Sequence, residues 1–298
     1  MIDKVNRLPF ANYDVVVYFG VGIFSLPLVS RYSLLGRDVS FPPIFGAYSD
    51  GSINLAVSLV ALAFGVYILG HAISLMSSFL IEQFIYRIVG PPSHVISRTC
   101  IPSAGSFSFR RLIRNRIASS YRDSRTNADI VRLIANAPVL PIYTAIYVFG
   151  FFGFYQCKIS PSVVLRVFGR LRMYFDLEYD IINDKRWFKV VEYACANDHA
   201  VASAKMYNYL VIYGLFRSLS LVFLVSIWFE LFYWWRLGGI GFVDQSGPGN
   251  PLLRVVVLYG AYGISLMGYG KFSRRYAEEA VQAFGLSMIF DQKDSGAR

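Results

Sequence analysis

The stretch Tyr67–Gln83, YILGHAISLMSSFLIEQ, belongs to the most apolar part of the chain, yet it carries a histidine, three serines and, near its end, a glutamate. On a helix turning about 100° per residue, His71, Ser74, Ser78 and Glu82 fall at about 0°, 300°, 340° and 20°, one narrow stripe. Polar groups inside a bilayer must pair, line water or bind something, so this stripe faces something other than lipid. The run is uncharged from the residue after Asp50 to Ile81, and no proline interrupts it before Pro91. It therefore predicts a single helix of about 37 residues and about 55 Å, longer than the roughly 30 Å hydrocarbon layer, with about a third of it projecting into water.

Composition agrees. Of 298 residues, 55% are hydrophobic and 16% charged, and the mean hydropathy is +0.45, values that belong to a membrane protein rather than a soluble domain. The net charge of +10 favours anionic partners: lipid head groups, nucleotides or nucleic acid. Cys100, Cys157 and Cys195 are odd in number and far apart, which predicts reduced thiols rather than a disulfide framework. No metal centre and no cofactor is expected. The N-terminus has an apolar run but no small-residue cleavage signal after it, and reads as a retained first span.

Beyond this stretch, apolar runs predict four spans in all, at about 15–35, 53–76, 216–235 and 253–270. The first ends near Arg31, the third has Arg217 at its inner end, and the third closes in the aromatic cluster IWFELFYWW. Glu230 and Arg254 lie near the outer ends of adjacent spans, where they can pair. A fifth uncharged run, Leu133–Cys157, is long enough to cross. Before it, however, stand Arg98, Arg110, Arg111, Arg114, Arg116, Arg122, Arg125 and Arg132, and after it, up to residue 205, eight further bases against six acids. One more crossing would put a basic segment outside, so the positive-inside rule makes this run a buried or interface-lying helix. The expectation is an all-α membrane protein with four transmembrane helices and a helical cytosolic domain inserted between spans 2 and 3. Residues 1–89 form an N-terminal membrane hairpin, 90–205 the basic cytosolic domain, 206–271 a C-terminal hairpin and 272–298 a cytosolic tail helix. Both termini are then cytosolic. Within the insert, helices are predicted over 162–178, 184–196 and from 199 onward. In the tail, Arg274/Glu278 and Arg275/Glu279 have i,i+4 spacing.

Two constellations bear on function. The stripe His71, Ser74, Ser78 and Glu82 is a candidate pore lining, which a symmetric oligomer would close into a ring. Its structural alternative is a hydrogen-bonded seam between helices. A serine hydrolase contains the same residue types, but mid-helix serines lack the strained turn and the oxyanion hole, so no catalytic residue is assigned. The second constellation is RRLIRNRIASSYRDSR, residues 110–125. Arg110, Arg111, Arg114, Arg116, Arg122 and Arg125 are candidates for binding a polyanion, since arginine grips phosphate bidentately and stacks on bases. Contact with anionic lipids is the plainer alternative. CANDH, Cys195–His199, spaces two ligand types but lacks the further ligands of a metal site. GPPSHVISR, residues 90–98, is superficially similar to a phosphatase loop without the other basic and His–Asp elements of that chemistry.

GHAISLMSSFLIE, GLFRSLSL and RRYAEEAVQAF together resemble small multi-pass bacterial membrane effectors of anti-phage defence, of the Hailong type, in which the effector is paired with a nucleotidyltransferase. The resemblance covers most of the chain as a pattern rather than through one motif. It implies a homo-oligomeric inner-membrane channel held in check by a DNA oligomer on its cytosolic part, and it transfers no individual binding residue. Two rivals stand beside it: a lipid-modifying enzyme with a polar cavity beside His71 or His94, and a structural partner subunit with no activity of its own.

Overall fold

The computed structural model describes residues 13–31, 52–88, 90–93, 96, 159–175, 187–236 and 251–295. The arginine block 110–125, the run Leu133–Cys157, His94 and the loops around 31–52 and 236–253 fall wholly or largely outside these residues. The described chain is helical throughout its elements. Helix α1 joins a π-helical segment, Asp14–Phe19, to Gly20–Arg31. Helix α2 runs through Ser52–Ser77, a π-helical turn Ser78–Glu82 and Gln83–Ile88. Then come α3 (Pro161–Phe175), α4 (Trp187–Asp198), α5 (Ala200–Arg236) and α6 (Pro251–Ser295).

Three helical stretches are long and apolar enough to cross a membrane: Ala56–Glu82, Ala200–Phe232 and Leu252–Leu286. The chain is accordingly a membrane protein. The apolar part of α1, Asp14–Pro27, is shorter than these. The long helix read from the uncharged run is present as α2. It ends where expected, ahead of Pro91: Gly90 takes φ 90° and its N–H donates to Tyr86 O at 3.0 Å, a left-handed cap open to glycine. Of the three stretches α5 is the most enclosed, with 56% of its most apolar window buried against 11% for α2 and 22% for α6.

The chain divides into two compact units. The first comprises Met1–Glu82 and Gly214–Leu266. In it α1 and α2 run antiparallel at backbone contact, because glycine leaves room on both sides. A Cβ at Gly22 would stand 2.1 Å from Val66 O, and one at Gly70 only 1.7 Å from Tyr18 O. Small residues bring membrane helices together in this way because packing, not hydrophobicity, drives their association. Serines return to their own helix: Ser25 Oγ donates to Gly22 O, Ser220 Oγ to Phe216 O and Ser226 Oγ to Val222 O, at 2.8, 2.8 and 2.7 Å. Arg254 Nη1 lies 3.7 Å from Glu230 Oε1, the pairing expected of those span ends. Val57, Val60, Phe64, Leu75 and Phe79 of α2 and Leu252, Val256, Val257 and Ile264 of α6 point outward, as lipid-facing side chains do.

The second unit, Gln83–Tyr213 with Met267–Arg298, has its own core. Val164, Val167, Phe168 and Leu171 of α3 meet Trp187, Val191 and Cys195 of α4 and Ala277, Ala280, Val281 and Phe284 of α6. The helices predicted at 162–178 and 184–196 are these two, Pro161 opening the first. Arg170 Nη1 donates to Phe284 O at 2.7 Å, and its guanidinium lies 4.5 Å from the Phe284 ring. Tyr276 donates to Glu192. Arg274 pairs with Glu278 at 3.4 Å as its spacing predicted, whereas Glu279 accepts from Lys205 of α5 at 3.2 Å.

Gly70→Ala forces α1 off α2 and should cost about 1–3 kcal/mol, read as a lower melting temperature in detergent; Gly65→Ala, where nothing lies within 4 Å, should be neutral or stabilising by up to about 1 kcal/mol. Burial pushes the Cys195 thiol up to about 11, so a thiol reagent at about pH 8 should leave it intact in the folded protein and modify it in denaturant. Since the thiol is the form the fold favours, its contribution to stability holds below about pH 9 and falls as pH climbs through 11.

Candidate functional site

Arg217 is an arginine in the middle of an apolar helix. It is 7% exposed, and arginine keeps its charge at any relevant pH. Its partners must therefore come from the protein, and α2 supplies them. Nη1 donates to Glu82 Oε2, Nε to Ser77 Oγ at 3.2 Å, and Nη2 to both Ser74 O and Ser74 Oγ at 3.5 Å. The serines complete the set. Ser77 Oγ donates to Ser74 O at 2.8 Å and lies 3.3 Å from Ser218 Oγ, while Ser78 Oγ donates to Glu82 Oε2 at 3.1 Å. Ser74, Ser77 and Glu82 thus join α2 to α5, with one positive and one negative charge in mutual contact, while Ser78 holds Glu82 from within α2.

The backbone explains why these groups meet. Ser74, Ser77 and Ser78 sit about one turn or less apart, and the widened turn Ser78–Glu82 begins at the last of them. An i→i+5 turn shifts the helical phase of all residues beyond it, and such turns recur at functional sites. Here Ser78 and Glu82, the ends of that turn, are hydrogen-bonded to each other and Glu82 is presented to Arg217. On α5, Arg217 and Ser218 are adjacent, and both are buried.

Of the stripe His71, Ser74, Ser78 and Glu82, the last three belong to this cluster. His71 does not. It is exposed on its helix face and joins an aromatic group, with its ring centroid 3.8 Å from Tyr18 and 5.3 Å from Tyr67. Tyr18 in turn packs edge-on to Tyr13 at 5.3 Å. Among the described residues His71 makes no hydrogen bond to Ser74 or Ser78, so no serine–histidine couple forms there. Arg110, Arg111, Arg114, Arg116, Arg122 and Arg125 lie outside the described residues. The two ligand types of CANDH separate: Cys195 Sγ turns into the core to donate to Ala280 O at 3.3 Å, while His199 stands at the α4–α5 junction, its backbone N–H on Cys195 O at 3.1 Å. Among the described residues no group of three His, Cys, Asp or Glu side chains is placed to hold a metal.

Sequence reasoning missed Ser77 and the role of Arg217. The signal was present: a lone base inside one apolar run and a lone acid closing another are a complementary pair that lipid obliges to meet. No protein-family model, curated protein or solved structure matches the chain.

Removing one partner leaves a buried charge, so Arg217→Met should cost about 3–5 kcal/mol. Arg217→Met/Glu82→Leu, which removes both charges, should recover most of that loss. Unfolding in detergent, monitored by the loss of helical circular dichroism, measures both; equal losses would show that the pair is not coupled.

Proposed function

We propose that the chain is a membrane effector, a homo-oligomeric pore of the bacterial inner membrane whose permeability depends on the α2–α5 seam and is governed by an anionic ligand on the cytosolic side. The observation that carries this reading is the Arg217–Glu82 pair inside helices otherwise free of charge around it. Packing two membrane helices requires no full charges; small residues and serines suffice. A pair that is strong when closed and costly when open is suited to hold one of two states. The stripe then has two uses: in the closed state Ser74 and Glu82 are occupied by Arg217 of α5 and Ser78 by Glu82, and when the seam parts all three become the polar wall of a water-filled path beside His71.

The ligand reading rests on charge. The arginines of 110–125 suit a nucleotide or DNA oligomer, and a ligand shifts such an equilibrium only by binding one state better than the other. In this proposal N- and C-termini are both cytosolic, the chain spans the membrane four times, anionic lipids surround it, and a nucleotidyltransferase supplies the oligomer in a defence against phage. The lipid-modifying enzyme is the weaker reading, because Ser74 is engaged by Arg217 and Ser78 by Glu82.

Liposomes loaded with a fluorescent ion indicator test the seam. Arg217→Met/Glu82→Leu, folded and assembled as the wild type, should leak at least about tenfold faster, a change worth roughly 1.4 kcal/mol; a double variant as tight as the wild type would make the seam structural only. Separately, Arg110→Ala/Arg111→Ala/Arg114→Ala should weaken oligonucleotide binding and flatten its salt dependence. Unchanged binding would move the ligand site elsewhere.

A further inference from the structure

Helix α3 has two faces of different chemistry. Val164, Val167, Phe168 and Leu171 are buried in the core of the second unit. On the opposite side Ser162, Leu165, Arg166, Gly169, Arg172 and Met173 are exposed and fall within an arc of about 120°. Leu165 is 54% and Met173 67% exposed. Arg170, between the faces, turns inward to Phe284. Arg166 and Arg172 remain on the outer face without an ion pair among the described residues, and α3 itself contains no acid. At Gly169 a Cβ would meet nothing within 4 Å, which leaves the centre of the face flat.

We propose that this outer face of α3 docks on anionic phospholipid, the two guanidinium groups on head-group phosphates and the Leu165 and Met173 side chains among the upper acyl carbons. This inference needs a bilayer beside the chain but not the gating reading. Charge complementarity selects the sign of the surface, and arginines interleaved with exposed apolar side chains are the pattern of a helix lying in the head-group region. An oligonucleotide would use the arginines but would gain nothing from Leu165 and Met173, and the face offers no aromatic ring on which a base could stack. Each arginine near an anionic surface contributes about fivefold in affinity, so the pair should produce a clear dependence on lipid charge.

The test uses the full chain in nanodiscs, either of phosphatidylcholine alone or with about 30% phosphatidylglycerol, comparable to an anionic leaflet. Met173→Cys in a background of Cys100→Ser and Cys157→Ser, with Cys195 shielded by burial, is labelled with a polarity-sensitive fluorophore. In anionic discs its emission should shift to the blue and be quenched by spin-labelled lipid, and Arg166→Gln/Arg172→Gln should abolish the difference while the Trp187 core signal stays native. Equal emission and quenching in both discs, or a response indifferent to the two substitutions, would overturn the proposal. A shift produced by single-stranded DNA in neutral discs, with none from anionic lipid, would also overturn it and assign the face to nucleic acid. Elution of the chain with the discs reports membrane insertion independently of the label, so loss of insertion and loss of α3 docking are separate results.

Discussion

A guanidinium that cannot be neutralised by losing a proton has to be satisfied where it stands, and Arg217 stands in an apolar helix. That constraint organises the first unit. It dictates that α5 turn the face of Arg217 and Ser218 to α2, and that α2 present Ser74, Ser77 and Glu82 to it. The π-helical turn Ser78–Glu82 falls where the acid must be aimed. One turn before Ser74 on the same buried stripe of α2, Gly70, with Gly22 of α1, allows α1 to approach to backbone contact. One face of the helix is thus held by different physics along its length: close van der Waals packing toward α1 at Val66 and Gly70, and charge with hydrogen bonds toward α5 from Ser74 onward.

Much of this was legible in the residues. Uncharged length predicted α2 as one long helix, because nothing short of Pro91 interrupts it. Hydropathy placed α5 and α6, and i,i+4 spacing placed the Arg274–Glu278 pair. Glu230 and Arg254 were readable as partners because both close adjacent apolar runs. The features that escaped have a common cause. A wheel centred on His71 puts Ser77 at about 240°, outside the stripe, whereas the buried face is centred nearer Ser74 and Ser77, and that centre is set by the partner helix. Which face of α5 meets α2 depends on long-range packing, and a wheel drawn on α2 alone holds no information about Arg217. Glu279 likewise met Lys205 of α5 rather than its i,i+4 neighbour Arg275, a choice made by tertiary contact.

The same cluster separates two roles that the stripe had merged. Ser74, Ser78 and Glu82 work in cohesion within one chain, while His71 works in an aromatic group with Tyr18 and Tyr67. Cohesion alone would be met by serines. A full ion pair adds a large cost to separation, and this is the property that the effector proposal uses: a seam with two states and little population between them. The second unit has an aromatic and aliphatic core and an α3 outer face on which Arg166 and Arg172 stand beside exposed Leu165 and Met173, the surface on which the lipid-docking proposal rests.

If parting α2 from α5 sets permeability, a reversible lock across the seam should control ion flux. Ser77 and Ser218 point at each other with hydroxyl oxygens 3.3 Å apart. Ser77→Cys/Ser218→Cys, built into a Glu82→Gln chain whose seam lacks its negative charge, can be closed by oxidation and opened by reductant in the same liposomes. Ion flux that is silenced on oxidation and restored on reduction is the expected result. Flux that is the same in both states, with the disulfide verified by mass spectrometry, would show that the seam does not gate.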